Sequence, residues 1–266
     1  MTFGRISLAE QLLWSSAGIL LFLFALSLGL HFIDNRMIGN AGVWEKPMKF
    51  QISLAVHLAS IALVVGLLGE FHRNSFLILA TVIACVAATA FEIAYIMVQA
   101  ARQQQSHFNL STPFYRTMYV LMASGAVIIS LAAGVVGAVA WLDGKTQIEP
   151  ALRLSILIGF VGGAALTLIA GFAIGGRLNP IVGDLTQNYI RMPVTGWSLS
   201  SGDLRVPHFL ATHTVQAIPL AGLIASRLLS PAGAVAAVLL AALLWAAATW
   251  LAFQQAWAGR PFTSFF

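Results

Sequence analysis

The stretch SFLILATVIACVAATAFEIAYIMVQAA, Ser75–Ala101, decides how the chain is read. It is an apolar run of the length that about 30 Å of hydrocarbon demands of a spanning helix, roughly 20 residues. A carboxylate nevertheless sits inside it, at Glu92. Tyr95, Gln99 and Gln103 follow at steps of three, four and four, which places all four on one helical face. Such a run spans a membrane, and its polar stripe faces other protein rather than lipid.

Outward from this span, six further stretches qualify: 8–30, 48–69, 113–141, 150–176, 205–227 and 232–257. The chain is thus expected to be all-α, a single seven-helix membrane domain over residues 1–266, with one long loop at 177–204. Composition agrees, since 59% of residues are hydrophobic and 9% charged, against about 25% charged in ordinary domains. The run at 8–30 is too long for the apolar core of a secretory signal, and no small-x-small cleavage site follows it. Cys85 is the single cysteine, which excludes an internal disulfide and a thiolate zinc cluster. The net charge is +5, but the basic residues are dispersed, so nucleic acid is not an expected partner.

Short connections lie on the face bearing the N-terminus, and long ones (31–47, 102–112, 177–204) on the opposite face, where function is sought. Arg5, Arg73, Lys145, Arg153 and Arg227 make five cations on the first face. Nine fall on the second, from Arg36, Lys46 and Lys49 to Arg260. The positive-inside rule then puts the long loops in the cytoplasm and the N-terminus outside.

The second span carries Lys46, Lys49, Ser53, His57 and Ser60 on one face, and the sixth carries Arg205, His208, Thr212, His213 and Gln216 over a wider arc. Counted from the long-loop ends, His57, Glu92 and His213 fall at one depth, roughly 12–15 Å. Burying ionisable groups separately is costly, so a shared cavity is expected, its mouth ringed by Lys46, Lys49, Arg102 and Arg205. Singly, each group also has a structural role open to it. An intramembrane histidine can bond a neighbouring helix, and the lysines can snorkel.

Three chemistries suit this set. Haem b would take His57 and His213 as axial ligands, with His208 as substitute and Lys46, Lys49 and Arg205 beside its propionates, in a redox protein with an electron-transfer partner. A single iron or zinc would take His57, Glu92 and His213, in an enzyme acting on a lipid-like or small anionic substrate. A proton-coupled transporter or channel would relay protons through Glu92 and the histidines. Glu92, Tyr95 and His107 are the acid–base candidates. Neither a C-x-x-C-H attachment site nor an H-E-x-x-H motif is present, and the seventh span has no lysine for a retinal Schiff base.

Among the loops, Ser106-His107-Phe108-Asn109 is a compact set of donors and acceptors leading to Thr112-Pro113. The loop 177–204, with Asn179-Pro180, Gly183-Asp184 and Gly196-Trp197-Ser198, is expected to act as a lid with Trp197 packed inward. Asp203 is expected to cap the sixth span. The strings Ser106-His107-Phe108-Asn109 and Gly202-Asp203-Leu204-Arg205, followed by His208-Phe209, His213 and Gln216, resemble those of a group of uncharacterised bacterial multi-pass membrane proteins. That resemblance implies the seven-helix unit and a bacterial cytoplasmic membrane, and carries no activity.

Overall fold

The computed structural model describes residues 6–144, 146, 148–183 and 190–265. Arg5, Lys145 and Asp184 lie outside the described residues. The chain is all-α, and seven helices are long and apolar enough to cross a membrane, which makes it an integral membrane protein. It divides into two compact units, Met1–Gln147 and Ile148–Phe266.

The first unit contains α1 (Leu8–Ile33), α2 (Glu45–Leu67), the one-turn α3 (Glu70–Arg73), α4 (Phe76–Ala101) and α5 (Pro113–Leu142). Helix α1 starts at a capping box, in which Ser7 Oγ accepts from the Glu10 backbone N–H and Glu10 Oε2 accepts from the Ser7 N–H at 2.9 Å. The α1–α2 contact is tied inside by Gln51 Nε2 donating to Ser27 Oγ at 3.0 Å, where both residues are fully buried. Phe22, Leu63 and Leu121 remain on the outside, as lipid-facing residues do.

Helix α2 begins three residues before the expected start, because Pro47 lies in its first turn, where a missing N–H costs nothing. Between α1 and α2 a short hairpin, β1 (Met37–Ile38) with β2 (Ala41–Gly42), turns at Gly39, whose φ of +58° suits a residue without a side chain. Asp34 secures this segment. It accepts from Arg36 Nη2 and Trp44 Nε1, both at 2.8 Å, and these bonds hold its carboxyl well below the usual range. Thr112 caps α5, with Pro113 at its first position, as the sequence leads one to expect.

At the other end of this unit Asp143, fully buried, closes α5. It accepts the Gly69 N–H at 2.6 Å and lies 3.1 Å from His72 Nδ1, which anchors the α2–α3–α4 turn.

The second unit contains α6 (Pro150–Leu157), a π-helical turn (Ile158–Gly162), α7 (Gly163–Arg177), α8 (Arg205–Leu228) and α9 (Pro231–Trp257). The segment read as one apolar span is therefore interrupted. The interruption faces α8: a Cβ at Gly159 would lie 2.6 Å from Pro219 Cδ, and one at Gly163 would lie 3.1 Å from Val215. Gly159 and Gly163 thus serve packing within the unit. Trp245 of α9 donates to Leu210 O at 2.9 Å and to Thr214 Oγ1 at 3.0 Å on α8. The long loop pairs its ends, β3 (Ile181–Val182) with β4 (Gly202–Asp203), and packs on the end of α9.

Candidate functional site

In the first unit α5 seats two of the candidate residues, one helical turn apart rather than at the single depth expected. His57, buried on α2, has Nε2 at 3.2 Å from the Ile129 carbonyl oxygen of α5. Glu92, 3% exposed on α4, packs against Gly125 of α5: a Cβ at Gly125 would lie 2.9 Å from Glu92 Oε1. Gly125 and Ile129 are one helical turn apart. A larger side chain at 125 would occupy the position of the carboxyl group. Counted from the observed ends, Glu92 lies about 14 Å and His57 about 18 Å from the loop end of its helix, so the histidine is the deeper of the two.

Above Glu92 the stripe continues as a bonded chain. Gln99 Nε2 donates to the Tyr95 hydroxyl at 3.1 Å and reaches the Gln105 carbonyl at 3.4 Å. Gln103 leaves the stripe: it lies past the end of α4 at φ +54° and donates to Met37 O.

The next loop then folds over Lys46. Lys46 Nζ donates to His107 Nδ1 at 2.9 Å and lies 5.6 Å above the Phe50 ring. Phe50 and Phe108 flank the imidazole, with ring centroids at 5.7 and 6.2 Å. Burial, and then the Lys46 ammonium, depress the His107 pKa well below 6.5, so a neutral imidazole accepts the lysine's hydrogen. Lys49, by contrast, points outward, 38% exposed, and pairs with Glu45 at 3.3 Å. Asn109 makes a turn toward α5, accepting from Ser111 N–H at 3.2 Å.

The depressed pKa of His107 gives a sign for pH dependence. The unfolded imidazole takes up a proton below 6.5 while the folded one stays neutral, so this contribution to stability is complete above that pH and is lost as pH falls below it. Thermal unfolding in detergent should therefore show stability falling from pH 6.5 downward. In His107→Gln that slope should flatten. A slope unchanged by the substitution would remove His107 as its source.

In the second unit Arg205 is committed. Its guanidinium binds both oxygens of Asp203, at 2.9 and 2.6 Å, and donates to Gly196 O at 2.9 Å. Asp203 Oδ1 also accepts the Arg205 backbone N–H at 3.0 Å, the capping role expected of it. His213 Nδ1 lies 3.1 Å from Gln216 Oε1, and its ring packs on Phe209 at 4.2 Å. His208 Nδ1 is buried, bonds no described residue, and lies over Gly171. In the described parts of the loop, Trp197 is half-buried between Phe209 and Phe262.

Among the described residues no three His, Cys, Asp or Glu side chains form a metal-holding group. The residues that sequence reasoning missed are Gly125 and the Ile129 carbonyl, which seat Glu92 and His57, and Asp143, which anchors the far end of the unit. A glycine or a carbonyl within an apolar helix carries no pattern that announces such a role. No family model, curated protein or solved structure matches the chain.

Proposed function

We propose that this protein is a proton-coupled membrane transporter or channel, with Glu92 as the group that takes up and releases the proton. One observation carries the reading. A carboxyl group lies inside the first unit with Oε1 free of any hydrogen bond from a described residue. An ionised group without a donor is costly at membrane depth, so such residues mark ion and proton pathways. Support comes from the bonded groups toward the loop end, Tyr95, Gln99, His107 and Lys46. Their exchangeable protons line the approach.

The haem reading requires His57 with His213 or His208, and the iron or zinc reading requires His57 with His213. Nε2 of His57 is already engaged, 3.2 Å from a carbonyl oxygen. Arg205, assigned to a propionate, is held by Asp203. These commitments favour the proton reading. In the orientation favoured by the Lys and Arg distribution, the loop end of the first unit faces the cytoplasm.

The test uses purified full-length protein in sealed vesicles with an entrapped pH dye. An imposed pH gradient should decay faster than in protein-free vesicles. Decay at the protein-free rate would overturn the reading. A Soret band or stoichiometric iron or zinc in the same preparation would replace it with the haem or metal reading.

A further inference from the structure

The interior of the first unit is short of hydrogen-bond donors to its oxygens. Thr89 Oγ1, Glu92 Oε1 and Gln99 Oε1 of α4 are buried and accept no hydrogen bond from a described residue. Their residues are 3%, 3% and 1% exposed. Steps of three and seven put the three on one helical face, in a column about 15 Å long.

The amide of Gln99 is oriented by its neighbours. The Gln105 carbonyl can only accept, so the NH2 group must face it at 3.4 Å, and Oε1 faces the other way. The Tyr95 hydroxyl, between Glu92 and Gln99, accepts from Gln99 and keeps its own hydrogen to donate. The column ends at the Gln105 carbonyl, and two residues further along the loop the His107 imidazole holds Lys46 at 2.9 Å. Buried oxygens of this kind are satisfied by internal water, which makes about three hydrogen bonds per molecule.

Resting on the proton-carrier reading above, we propose that protons travel between the loop end and Glu92 along a chain of water molecules that donate to Gln99 and Glu92. Gln99 is the positioning residue. At each hop one O–H bond forms as the next breaks. The net change converts a hydronium ion at the loop end and the Glu92 carboxylate into water and a carboxylic acid. Release is the reverse, and no electron moves. Gln99 touches the water, not the proton acceptor, and what it must supply is the side-chain oxygen.

Two variants of the full chain in vesicles test this. Gln99→Leu, similar in size but without Oε1, should slow Glu92-dependent proton flux at least tenfold. The pH midpoint at which a hydrophobic carbodiimide labels Glu92 should stay in place. Gln99→Glu, which keeps the oxygen, should retain flux within about twofold. A merely structural role would move the labelling midpoint and flux together and would not be rescued by Glu. X-ray hydroxyl-radical labelling of the wild type, in which bound water is the radical source, should modify Tyr95 and spare Met122, which is fully buried. Wild-type flux in Gln99→Leu, or Tyr95 labelled no more than Met122, overturns the path. If the wild type passes no protons, or Glu92→Gln passes them normally, the proton reading itself has failed first.

Discussion

Glu92→Gln should reduce proton flux in reconstituted vesicles to the protein-free rate while leaving the helices folded. The amide matches the carboxyl in shape and fits against Gly125, where a Cβ would lie 2.9 Å from Oε1. It cannot take up or release a proton near neutral pH. Burying a neutral amide costs far less than burying a charge, so thermal stability should change little. Circular dichroism and thermal unfolding, run beside the flux assay, separate a functional loss from a misfolded chain. Flux retained in a folded Glu92→Gln protein would assign the proton pathway elsewhere.

The largest effect on stability is expected at Gly202. This residue pairs with Val182 between β3 and β4 and lies against the end of α9. A Cβ there would run into the Ala256 carbonyl oxygen and lie 2.9 Å from Gly259 Cα. Both are backbone atoms, which cannot rotate away as a side chain can. Gly202→Ala should therefore destabilise the protein by about 3 kcal/mol, the upper part of the range for overpacking. It should also loosen the loop that holds Trp197. Limited proteolysis should cut within 177–204 sooner than in the wild type. A variant as stable and as resistant as the wild type would show that α9 yields freely at this point.

Most of the fold was legible in the chain, and the reasons are physical. A membrane span must be long and apolar, so seven stretches stood out and their bounds fall within a few residues of the helices. The differences have local causes. Pro47 suggests a boundary but is comfortable in a first turn, and α2 starts before it. The π-helical turn at Ile158–Gly162 arises where Gly159 meets Pro219, and a contact between helices leaves no periodic trace in either one.

The site was legible as stripes but not as partners. Steps of three and four identified the Glu92–Tyr95–Gln99 face, and the structure bonds Tyr95 to Gln99 along it. The same reasoning made Arg205 a cation at a mouth. Asp203, two residues earlier in a loop, falls outside any helical period, yet it takes the guanidinium in a bidentate pair. His107 was visible as a candidate, but its bond to Lys46 joins residues 61 apart in the chain. Only tertiary packing could reveal that bond. Likewise, the bland role open to any intramembrane histidine, a bond to a neighbouring helix, is the contact His57 makes with Ile129.

Proton exchange at Glu92 can be read at the residue itself by pH-resolved labelling with dicyclohexylcarbodiimide. This hydrophobic reagent enters the membrane and adds to a protonated carboxyl group, leaving an N-acylurea that peptide mass spectrometry locates. An adduct is expected on Glu92 that declines as pH is raised through the group's titration and is absent from Glu92→Gln. The fully buried Asp143 has both carboxylate oxygens within reach of donors, Gly69 N–H and His72. It should remain unlabelled under the same conditions. Labelling of Asp143 in preference to Glu92, or no labelling of Glu92 at any pH in folded protein, would show that Glu92 is not the exchanging group.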